Sequence, residues 1–258
     1  MEELTARPGD LAALLLFLMI WLAYEPILKG LAHGRRMINA DMVRVRRAWM
    51  AQMVDRQGSR LLDSQLVGHA LNSASFFASS NLILIAGAAG VLFGGENAYQ
   101  RLETAPLLAH APKALFGLKM TLVAMTLARG LLAFIWAIRQ LNYCVAAIGA
   151  APESAPAETR TAYGQAVARL INPALSSFNA GVRGYYFALA STAWLAGPAA
   201  FAAATLGAMA LLAWRQAASP AAGALRDVRA ILDETGLRDG ILQPAETPTS
   251  TKPDTPAP

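Results

Sequence analysis

The stretch ALNSASFFASSNLILIAGAAGVLF (70–93) carries no charged side chain over 24 positions. As a helix it rises about 36 Å, enough to cross a hydrocarbon layer of about 30 Å. Three more apolar runs, at about 11–28, 115–138 and 185–214, repeat the pattern. With 55% hydrophobic residues, 15% charged residues and a mean hydropathy of +0.37, the chain is too apolar for an ordinary soluble domain, in which charged residues make up about 25%. The expected fold is an all-α membrane protein: a four-transmembrane-helix bundle with an amphipathic cytoplasmic helix and a short soluble C-terminal helix. The expected organisation is an N-terminal extension (1–10), a four-span membrane domain (11–214), a tail helix (215–242) and a disordered tail (243–258). That last segment, QPAETPTSTKPDTPAP, has almost no apolar content to bury.

The net charge of +5 does not point to nucleic acid, because the basic residues fall between apolar runs, where anionic headgroups account for them. Twelve of the 22 Lys and Arg residues lie in the connections 29–69 and 139–184. The positive-inside rule then puts both connections in the cytoplasm of a bacterial inner membrane and both termini outside. The first run is preceded by Glu2, Glu3, Arg7 and Asp10 and followed by Lys29, Arg35 and Arg36. That is the reverse of a signal peptide, so it reads as an uncleaved anchor. Cys144 stands alone and His33, His69 and His110 are widely spaced. No disulfide, CxxC pair or metal site is expected, and no cofactor.

In the first connection Met42, Val45, Trp49 and Met53 share a helical face. Such a helix either lies among headgroups or packs on the second connection. That second connection opens with a loop, GAAPESAP (149–156), followed by a short helix interrupted near Pro173. Ser219 and Pro220 form an N-cap and first-turn pair for the tail helix, and a kink is expected at Pro198. Trp21, Tyr24, Trp136 and Tyr143 suit an interfacial aromatic belt.

Polar groups inside the spans are the candidate sites. Gln65, His69, Asn72 and Ser79 lie on one stripe of the second span, expected to face into the bundle either as helix–helix glue or as one wall of a hydrated pocket. In the third span Lys119 is close enough to the end to snorkel. Arg129 lies ten residues from Arg139, about 15 Å, too far for snorkelling alone. It is either a satisfied structural cation or part of an anion site with the stripe. Two further clusters, Arg139, Asn142 and Tyr143 and then Asn179, Arg183 and Tyr186, are either ordinary interfacial anchors or a binding place for a phosphate or lipid headgroup.

RRAWM (46–50), DSQ (63–65), FFASSNLILIAG (76–87), WAIRQLNYC (136–144) with GAAP following, and SFNAGVRGYYF (177–187) before Trp194 together resemble an uncharacterised bacterial and plant family of four-span membrane proteins, domain of unknown function 599. The resemblance covers about residues 10–230. It implies an integral membrane protein with no assigned activity, and it implies no catalytic residues. The family is associated with a lysine about where Ala133 stands, whereas here the cation is Arg129, one turn earlier. The leading function is therefore a structural or accessory membrane protein, with a small anion transporter or channel as the alternative. A membrane enzyme ranks last, because no nucleophile–base spacing is present. The expected partner is the lipid bilayer; a second copy of the chain, an anion and a lipid headgroup are candidates.

Overall fold

A computed structural model of the protein describes residues 7–31, 37–94 and 111–235, and every regular element among them is helical. They are α1 (Pro8–Leu22), α2 (Tyr24–Leu31), α3 (Ile38–Asp55), α4 (Leu61–Phe93), α5 (Lys113–Gly149), α6 (Ala157–Thr192), a 3-10 turn (Ala193–Ala196), α7 (Pro198–Ala217) and α8 (Pro220–Glu234). Three stretches are long and apolar enough to cross a membrane: Leu61–Phe93, Lys113–Gly149 and Pro198–Glu234. In the last, a break at Ala218 and Ser219 separates α7 from α8. Five charged side chains (Arg226, Asp227, Arg229, Asp233 and Glu234) place the apolar part in α7. The N-terminal run is shorter and bent. Pro26 lacks an N–H and its ring would meet the carbonyl of Leu22, and α1 stops at Leu22.

Antiparallel α5 and α6 form the spine. Contacts step along both, from Tyr163 Oη donating to the Ala147 carbonyl (2.8 Å), through the Phe134 and Phe178 rings, to Lys119 Nζ donating to the Trp194 carbonyl (2.9 Å). The spine thus has a Trp194 end and an Ala147 end. The two helices approach most closely at Gly130 and Gly184, where a Cβ on Gly184 would stand 3.2 Å from Gly130 Cα. On one side of the spine, α4 packs through Val67, Ala74, Ala78, Asn81 and Ala88. Asn81 Nδ2 donates to the Leu127 carbonyl (3.1 Å), and Tyr185 Oη to that of Phe77 (2.7 Å).

At the Trp194 end, α1 and α7 close a second core around Phe17, Phe187, Trp194 and Phe201. Trp194 stacks on Phe201, and its indole N–H donates to the buried Asp10 carboxylate (2.7 Å). Lys119 does not snorkel. It is 2% exposed and is held against the Trp194 ring and carbonyl. Beyond the apolar belt, α3 packs on α6, with its Met50, Met53 and Val54 joined by Val67, Leu141, Ile148 and Ile171. Of the two readings for this helix, the structure has the packed one. Asp63 is buried where α3 meets α4 and accepts from Trp49 Nε1 (2.7 Å) and Arg56 (2.8 Å).

Several expectations need correction. The run 185–214 is not one kinked span. α6 ends at Thr192, Gly197 takes φ +121°, and Pro198 starts α7 in the opposite direction. A positive φ is open to glycine and strained for other residues, which is why the chain reverses here rather than bending. Arg215 on α7 then returns to donate to Tyr186 Oη, and α8 docks on α3 through Arg44–Asp233 (2.9 Å) and Arg229–Asp41 (3.0 Å). Asp10 thus lies at the Trp194 end of the spine, whereas Asp233 lies against α3. Pro173 does not interrupt its helix: α6 passes through it. Beside it Asn172 Nδ2 donates to the Ala168 carbonyl (2.9 Å). The loop after Gly149 and the Ser219 cap, whose Oγ accepts from Ala222 N (3.2 Å), are as expected. The segment expected to be disordered (243–258), the residues expected to continue the tail helix beyond Thr235, His33 and His110 lie outside the described residues.

Candidate functional site

The residue pairs Arg129–Gly130 and Arg183–Gly184 meet where α5 and α6 cross. Because both glycines lack a side chain, the helices close on each other and carry the adjacent arginines to one side of the crossing. There they line a cavity of about 340 Å³ completed by Trp21, Tyr24 and Glu25 of the α1–α2 bend. The Arg129 guanidinium stands over the Trp21 ring, 5.0 Å from its centroid, and that of Arg183 over the Tyr24 ring at 4.8 Å. Arg183 pairs loosely with Glu25, at 3.7 Å. The Tyr24 hydroxyl is buried and makes no hydrogen bond among the described residues. Two cations and one carboxylate leave the lining with a net positive charge. A guanidinium over an aromatic ring gains a cation–π contact, and its planar fork of N–H donors matches a planar or tetrahedral oxyanion.

The α6 side of the cavity is its floor, with Gly184 and Phe187 buried and Arg183 half-buried. Its rim is exposed at Leu22, Glu25, Pro26 and Arg129. The site was only partly anticipated. Arg129 and Arg183, expected in two separate clusters, come together. Gln65, His69, Asn72 and Ser79 do not join them: all four are exposed on the outer face of α4, because the α4 face that meets α5 is the one carrying alanines and Asn81. The stripe therefore does not face into the bundle. Arg139, Asn142 and Tyr143 are exposed farther along α5, where Asn142 Nδ2 donates to the Ile138 carbonyl of its own helix (3.1 Å). Asn179 donates to Asn39 on α3 (3.3 Å) and Tyr186 accepts from Arg215. The first expected Arg–Asn–Tyr cluster thus stays together on exposed α5, whereas the second is divided among α3, the cavity and α7.

What sequence reasoning missed was that Trp21 and Tyr24, read as belt residues, meet Arg129 and Arg183, with Glu25 beside them. The repeated Arg–Gly dipeptide was the available signal, since glycine marks close helix approach and fixes where its neighbour points. Among the described residues no group of three or more His, Cys, Asp or Glu side chains converges as for a metal ion. No curated protein and no solved structure matches the chain. A family model described as a protein of unknown function, DUF599, matches residues 12–221. The match spans most of the chain, which therefore belongs to that family.

Proposed function

We propose that the protein is a multi-pass inner-membrane protein with an accessory rather than catalytic role, which acts by holding an anionic group between Arg129 and Arg183. The observation that carries this reading is the pair of guanidiniums lining one cavity whose only carboxylate among the described residues is Glu25. A cation at membrane depth costs about 2.5–3.5 kcal/mol on insertion scales, so two at one level favour a counter-anion. The proposed arrangement in the bilayer has five crossings: α1–α2, α4, α5, the upper part of α6, and α7. The α3 and α8 end is cytoplasmic and the N-terminal side lies outside. It adds Arg215, Arg226 and Arg229 to the arginine-rich side, which strengthens the charge asymmetry.

The test is thermal melting of purified protein with inorganic phosphate, sulfate, chloride and small carboxylates. A bound anion raises the midpoint in proportion to RT ln(1 + [L]/Kd). The wild type should shift with at least one oxyanion, Arg129→Leu and Arg183→Leu should not, and Arg129→Lys should keep part of the response because charge remains while the planar fork is lost. A response of equal size in either Leu variant would sink the site.

A further inference from the structure

We infer that the anion held by Arg129 and Arg183 is the phosphate of a membrane lipid, which enters sideways from the bilayer and leaves its acyl chains against α1 and α5. The inference rests on the anion-site reading and adds the class and route of the ligand.

The route follows from which walls are open. The α6 floor is closed, whereas the rim opens between α1–α2 and α5. Arg129 is exposed within an outward strip of α5 formed by Leu118, Met125, Leu132 and Trp136. At 100° per residue these share its face. Across the opening α1 presents Leu15, Met19 and Leu22, 58%, 57% and 67% exposed. Apolar surface this open on both sides of the rim is suited to acyl chains, not to water.

The chemistry follows from Arg129 itself. It donates no hydrogen bond to the α4 amides and hydroxyls: Asn81 gives its Nδ2 to the Leu127 carbonyl while its buried Oδ1 accepts from no described residue, and the outer stripe faces elsewhere. A guanidinium on a lipid-facing strip is stable beside a charge that the bilayer supplies, and the phosphate is the one anionic group common to its lipids. Phosphate oxygens match the paired N–H donors of each arginine. Glu25, 3.7 Å from Arg183, is a resident competitor that the phosphate displaces.

The experiment compares melting midpoints in an uncharged detergent with dioctanoyl phosphatidate, dioctanoyl phosphatidylglycerol, uncharged dioctanoylglycerol, glycerol 3-phosphate and inorganic phosphate. Both phospholipids should stabilise the wild type at a concentration at least about tenfold lower than glycerol 3-phosphate, and dioctanoylglycerol should not stabilise it. Arg129→Leu should abolish the phospholipid effect. Leu22→Asn should remove the lipid advantage while leaving the glycerol 3-phosphate response. Glu25→Gln should lower the phospholipid concentration required several-fold, and this gain decides the matter if the arginine variants do not fold. Equal potency of glycerol 3-phosphate and phosphatidate overturns the lipid inference and leaves the anion reading standing. An equal response to dioctanoylglycerol, or an unchanged Glu25→Gln, also overturns it. No response to any phosphate overturns both.

Discussion

Gly184 shows how one missing side chain positions a site. A Cβ there would meet the backbone of Gly130 at 3.2 Å, and one on Gly181 would fall 2.6 Å from the Phe134 ring. Gly184→Val should force α5 and α6 apart and cost about 1–3 kcal/mol, the usual range for overpacking, while disturbing the arginine pair. Gly87→Ala and Gly207→Ala, where nothing stands within 4 Å, should leave the melting midpoint nearly unchanged or slightly raised. A melting comparison of the three variants checks the crossing directly, and comparable losses in all three would contradict it. At this scale the sequence was half legible. That Arg129 needed a partner followed from helix length alone. Which partner it met depended on a crossing between residues 54 positions apart, and no helical periodicity encodes that. The outer stripe of α4 misled for a related reason: polar residues in an apolar helix mark a face with unmet hydrogen bonds, without saying whether the rest of the same chain meets them.

Among the elements, α8 is held by charge more than by apolar burial: Ala222 is its only buried residue. Arg44, then Arg229, hold the Asp233 carboxyl below the usual carboxylate range. A depressed carboxyl pKa contributes stability that is present in full above its unfolded value of about 4 and is lost as pH falls through the lower folded value. Docking of α8 should therefore persist at neutral pH and fail on acidification below about pH 4. Because the Asp233 side chain is still 37% exposed, salt should weaken it as well. Hydrogen exchange in residues 220–234 should speed up under acid, under high salt, and in Asp233→Asn at neutral pH. Exchange that does not change with any of the three would show that packing, not pairing, seats the helix. The existence and type of the helices, the loop after Gly149 and the Ser219 cap were readable from local chemistry. The reversal at Gly197 was not, because Gly–Pro marks a kink and a turn with equal force. Only the burial of Trp194 beside Asp10 and Lys119 distinguishes them.

For the whole molecule, the turn back into α7 decides on which side the C-terminal helix lies. Cys144 is fully buried and unsuitable as a reporter, so Cys144→Ala is the proper background. Single cysteines in place of Ser154, in the loop before α6, and of Asp227, on α8, are both at exposed positions. Both should resist a membrane-impermeant maleimide in intact spheroplasts and react after lysis. Labelling of the Asp227 position alone before lysis would restore a topology in which α7 does not return. The packing of α3 on α6 also has a consequence for biosynthesis. Met50 lies against Gly164, so about 110 residues must still be translated before the apolar face of α3 meets its partner. At about 5–20 residues per second that face waits roughly 5–20 s on the nascent chain. During this interval α4 and α5 must enter the bilayer, and the newborn helix needs a temporary cover that the finished protein no longer displays.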